Sequence, residues 1–220
     1  SQRGCMRQSI CERSMKRIIV IFLAIGFLVA CQPEKDTDKR PLIICSTSII
    51  GDVVKNLVGD TIRVESLMGP GVDPHLYKAT QGDIEALSKA EVVVYNGLHL
   101  EGKMGSIFEK LARKKPTIAI SDSVPKRLLI NSTDYAGAED PHIWFDVTVW
   151  VRGVNGLASR LRKEFPQFSQ LIENNRQEYA KQLFYLHNQV TNQISTIQQD
   201  QRVMITAHDA FKYLGKQYGM

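Results

Sequence analysis

Short aliphatic, β-branched runs alternate with segments of helical spacing through most of this chain, and few architectures accommodate that alternation. Pro41-Leu-Ile-Ile-Cys-Ser-Thr-Ser48 reads as a buried strand. Ile49 to Leu57 has helical spacing, Thr61 to Leu67 reads as a strand and Gln81 to Ala90 as a helix. Glu91-Val-Val-Val-Tyr95 is a strand ending at Asn96-Gly97, Leu100 to Lys114 is helical, and Pro116-Thr-Ile-Ala-Ile120 is a further strand. Strands separated by helices of this length indicate βαβ units around a parallel sheet, an α/β fold. Ligands of such sheets collect beyond the carboxyl ends of the strands, so the loops that follow the strands are where chemistry is expected.

The chain then changes character. Between Gln167 and Gln201 there is neither Gly nor Pro, and apolar residues fall at 168, 171, 172, 179, 183, 186, 190, 194 and 197. Spacing of three and four predicts one long amphipathic helix. Arg202-Val-Met-Ile-Thr206 reads as a strand after it, and Phe211 to Gly219 as the start of a helix.

Three of the five histidines stand in loops next to these elements. Asp73-Pro74-His75 recurs as Asp140-Pro141-His142, 67 residues later, and His208 follows the apolar run at Val203-Met-Ile205. Proline fixes its own φ and keeps the residue before it out of helical geometry, so each Asp-Pro-His places an imidazole on a stiff loop. Three imidazoles at strand exits suggest a metal site, and three unrelated loop histidines are the alternative. His187 falls within the long helix and is expected to be solvated or half-buried. Trp144 and Trp150 are expected in the core.

The formal net charge of +5 is unevenly placed. Arg3, Arg7, Arg13, Lys16 and Arg17 oppose a single acid, Glu12, within residues 1–30, so everything from Cys31 onward carries only +1. No basic patch asks for a nucleic-acid partner. Met15-Lys-Arg followed by 13 apolar residues, Ile18 to Ala30, has the layout of a secretion signal. It is too short for a permanent membrane span, which takes about 20 residues. Met15 is the expected start, residues 1–30 comprise an upstream extension and leader, and polar residues 31–40 form a flexible tether. Cys45, with no obvious partner, is expected to behave as a small core hydrophobe.

Four ordered motifs carry a specific resemblance: Val72-Asp-Pro-His-Leu-Tyr77, Asn96-Gly-Leu-His-Leu-Glu101, Asp140-Pro-His-Ile-Trp-Phe-Asp146 and Thr206-Ala-His-Asp-Ala-Phe211. From about Leu42 onward the chain resembles the zinc- and manganese-binding solute-binding lipoproteins of ABC transporters, the family that includes streptococcal lipoprotein adhesins. Leu28-Val-Ala-Cys31 resembles a bacterial lipobox, which implies cleavage before Cys31 and a lipid on its sulfur.

The resemblance implies two parallel-sheet lobes joined by a rigid spine helix. Residues 41–164 would be the metal-binding lobe, 165–200 the linking helix and 201–220 the start of a second lobe. Twenty residues cannot build that lobe, so it is expected to be truncated, and a fourth ligand, an Asp in the family, has no counterpart here. The implied ligands are His75, His142 and His208 around a transported Zn2+ or Mn2+. Asp73, Asp140, His99, Glu101 and Asp209 are possible supporting residues, since a carboxylate can orient a ligating ring by accepting its other N–H. A His-rich insertion found in some zinc-specific relatives is missing between Ser121 and Glu139. The implied partners are an ABC permease and its ATPase, and a lipid-anchored monomer in the bacterial cell envelope is expected. Two other functions compete. One is a surface adhesin in which metal binding is secondary. The other is a zinc hydrolase, for which a His-Glu-x-x-His segment would be expected and is not found.

Overall fold

A four-stranded sheet, entirely parallel and ordered β2-β1-β3-β4, organises the chain. The computed structural model describes residues 38–132 and 137–220. The leader, Met15, Cys31 and the tether up to residue 37 lie outside the described residues, as do residues 133–136 of the loop-rich stretch. The strands are β1 (Leu42–Thr47), β2 (Arg63–Met68), β3 (Val92–Tyr95) and β4 (Thr117–Ala119). Around them run α1 (Ser48–Val58), α2 (Gln81–Lys89), α3 (Gly105–Ala112), α4 (Val147–Glu164), α5 (Ser169–Ser195) and α6 (Lys212–Tyr218).

The uninterrupted apolar character of β1 and β3 follows from burial on both faces, as in parallel sheets generally. Side chains alternate by two along a strand. Ile43, Cys45, Val92 and Val94 therefore point into one core with α1, α4 and the first half of α5. Leu42, Ile44 and Val93 point into a second core with Leu87 of α2 and Met104 and Phe108 by α3. Cys45 is fully buried and free, and burial pushes its thiol far above the ordinary range, which makes it a packing residue. Trp150 is likewise buried, whereas Trp144 packs partly exposed against the core.

Local signals set the helix boundaries. Thr47 caps α1 by accepting from Ile50 N–H, and Thr80 with Asp83 forms a reciprocal capping box at α2, each worth about 1 kcal/mol. Asp146 caps α4, its Oδ1 accepting from Thr148 N–H at 2.8 Å and Val149 N–H at 3.3 Å. Asn175 of α5 donates to the Leu57 carbonyl at 3.0 Å, tying the long helix to the end of α1.

Three expectations need correction. The helix expected from Leu100 begins only at Gly105, because Gly97, Leu98 and His99 all take positive φ (84°, 53° and 63°) and the chain turns before it can coil. The long helix runs Ser169–Ser195, about 40 Å, with a single 3-10 turn, Pro166–Phe168, ahead of it. Arg202–Thr206 forms no strand. A strand needs a neighbour to pair with, and none of the four described strands provides one. Val203 and Ile205 are 73% and 94% exposed in consequence.

Candidate metal centre

All three loop imidazoles arrive at one place. His75 sits in the loop that leaves β2, His142 immediately precedes a 3-10 turn (Ile143–Phe145) leading into α4, and His208 precedes α6. His142 Nε2 lies 3.3 Å from His75 Nε2 and 3.3 Å from His208 Nε2. The ring centroids are 5.4, 5.4 and 5.1 Å apart, with the rings tilted or edge-on rather than stacked. One nitrogen from each residue falls within a 4.8 Å cluster, the one His/Cys/Asp/Glu group of this kind among the described residues. Burial grades across it: His142 is buried, His75 intermediate and His208 exposed.

Asp140 defines the chemistry of the central ring. Its carboxylate Oδ1 lies 2.7 Å from His142 Nδ1 and also accepts from the His142 backbone N–H at 2.9 Å. A carboxylate accepts, so Nδ1 carries the proton and the Nε2 lone pair is turned toward the other two imidazoles. Asp140 is only 2% exposed. Asp73 acts differently: its Oδ1 accepts from the His75 backbone N–H at 2.9 Å, bracing the loop. Asp209 pairs at 3.0 Å with Lys212, the first residue of α6.

His99 and Glu101 are placed differently from the three imidazoles. His99 lines a cavity of about 340 Å³ with His75, Gly102 and Ala138. Glu101, 3% exposed, accepts from Ser46 Oγ at 2.6 Å, Asn96 N–H at 2.7 Å and Gly97 N–H at 3.3 Å. Burial pushes its carboxyl above the ordinary range, against the pull of those donors. His187 Nδ1 is 3.2 Å from the Tyr218 hydroxyl, well along α5.

Tyr213 and Asn96 are parts of the site that sequence reasoning did not single out. Tyr213 of α6 is fully buried; its hydroxyl accepts from Ile130 N–H at 3.0 Å and donates to the Asp140 carbonyl at 3.1 Å. It therefore ties the element after His208 to the segment before His142. An aromatic in an ordinary helical pattern carries no mark of that role. Asn96 does carry one, standing between the β3 run and a glycine.

Comparison with known proteins shows which family the chain resembles. Residues 43–220 match the family model described as the periplasmic component A of the zinc-uptake complex, ZnuA. The manganese-binding lipoprotein MntA of Bacillus subtilis is 41% identical over 202 residues, 90% of this chain and 66% of that protein. The zinc-binding protein TroA of Treponema pallidum is 37% identical over 211 residues, 93% of this chain and 67% of that protein. The solved structure of the periplasmic zinc-binding protein TroA superposes with a TM-score of 0.79 at 39% identity, covering 82% of this chain and 64% of that one. The chain thus spans about two thirds of the length of the relatives it matches.

Proposed function

The chain belongs to the family of the periplasmic zinc-uptake component ZnuA, and from that premise we propose that it is the extracytoplasmic receptor of a metal ABC transporter, not an enzyme. It captures a divalent transition metal, zinc or manganese, and hands it to a membrane permease driven by an ATPase. His75, His142 and His208 are the protein's donors to that cargo.

The observation that carries the reading is the pair of 3.3 Å separations between Nε2 atoms. Two nitrogens about 2.0–2.1 Å from a zinc ion in tetrahedral geometry lie about 3.3–3.4 Å apart. Neutral imidazole suits zinc, and availability in the compartment as well as affinity decides whether manganese occupies such a site. Asp140 keeps His142 in the tautomer that presents its lone pair, the role carboxylates commonly serve beside metal-bound histidines. Titrating the full chain with zinc and with manganese, each in competition with a chelator, is expected to show one high-affinity site per chain. Binding no tighter than that of an unfolded control would overturn the proposal.

The description of MntA as a lipoprotein supports an anchor on Cys31. Cys31→Ser is expected to abolish incorporation of labelled fatty acid in cells, and undiminished labelling would remove that part of the proposal.

A further inference from the structure

A buried carboxylate joins the ends of two strands at the point where the sheet changes direction. The order β2-β1-β3-β4 makes the gap between β1 and β3 the switch point, where the loops diverge to opposite sides and leave a crevice. Glu101 spans it, accepting from Ser46 Oγ near the end of β1 and from the Asn96 and Gly97 N–H groups after β3. The Asn96 side-chain amide donates in turn to the Pro141 carbonyl at 3.0 Å, and Ile143 N–H donates to the same oxygen at 2.9 Å. Pro141 O belongs to the peptide that carries His142. Its plane is thereby held from two directions, one of them the sheet.

The same carboxylate accounts for the backbone beside it. Leu98 and His99 hold positive φ, a conformation that strains a non-glycine residue. Such a turn persists only where its surroundings hold it. Glu101 closes it from within, and Leu100 N–H donates to the Gly97 carbonyl at 3.1 Å across it.

We infer that Glu101 and Asn96 are positioning residues for metal capture: through Ser46 and Pro141 they fix the His142 imidazole against the sheet, so that its Nε2 stands where His75 and His208 converge. Neither is a ligand. The inference rests on the three-imidazole reading, and the test separates the two.

Asn96→Ala removes the link to Pro141 while leaving the backbone bonds to Glu101. It also removes a buried, unpartnered amide oxygen, which offsets part of its stability cost. Zinc affinity of the full-length variant, by chelator competition well below its thermal midpoint, is expected to fall about 10- to 100-fold. The visible spectrum of the cobalt(II)-loaded protein, which reports coordination geometry, is expected to change with it. Glu101→Ala should lose affinity similarly. Glu101→Gln should recover most of it, because the amide oxygen can still accept from both Ser46 and Asn96 and only the longer Gly97 contact at 3.3 Å is lost.

Parental affinity and an unchanged cobalt spectrum in Asn96→Ala would overturn the inference. So would a Glu101→Gln loss as deep as that of His142→Ala, which would mean that Glu101 acts by its charge on the cation. Parental zinc binding in His142→Ala itself would instead overturn the three-imidazole reading.

Discussion

His142→Ala lowers zinc affinity by at least about 100-fold, the upper end of what losing a partner outside the coordination sphere costs. The expectation is large because two losses coincide. One of three nitrogens that meet at the site disappears, and the buried Asp140 carboxylate is left without its ring partner at 2.7 Å. His187→Ala is the matched control. That imidazole sits on the Tyr218 hydroxyl along α5, so its removal should leave zinc affinity unchanged. Chelator competition on folded protein reads both variants, and equal losses would mean that the site lies elsewhere.

Gly156→Val lowers the thermal midpoint by several degrees. Gly153 and Gly156 stand one turn apart on α4, facing the turn that follows β4. A Cβ at Gly153 would meet Ile120 Cγ1 and its carbonyl oxygen at 3.1 Å, and one at Gly156 would run into Ser123 Cβ and Oγ. Over-packing costs about 1–3 kcal/mol, and each kcal/mol moves the midpoint of a domain this size by about 2–4 °C. Valine forms helices better than glycine does, so propensity alone would raise the midpoint. The sign of the shift therefore decides whether α4 is held as close as the structure has it. The helix begins five residues beyond His142, which links its seat to the geometry of the site.

Much of this arrangement was legible in the residues. The aliphatic runs marked the central strands β1 and β3 because burial on both faces leaves continuous apolar sequence, whereas β2, with Glu65 and Ser66 exposed, carries a weaker mark. The two Asp-Pro-His tripeptides pointed to rigid imidazoles, and the structure brings both to His208. What stayed hidden depends on contacts distant in sequence. The run Val203-Met-Ile205 has strand composition, but strand formation needs a pairing edge that no local pattern reports. Asn96 reaches Pro141 across 45 residues and Tyr213 reaches Asp140 across 73, and neither spacing leaves a periodic trace. Glu101 looked like a candidate neighbour of the metal, being two residues from His99. The left-handed turn sends it inward to the strand ends instead.

The central claim is that three imidazole nitrogens hold the transported ion. X-ray absorption at the zinc edge of the full-length, zinc-loaded protein counts those neighbours directly. The account predicts the scattering pattern of three imidazoles with nitrogen at about 2.0–2.1 Å. A first shell containing sulfur, or oxygen donors with at most one imidazole, would contradict it.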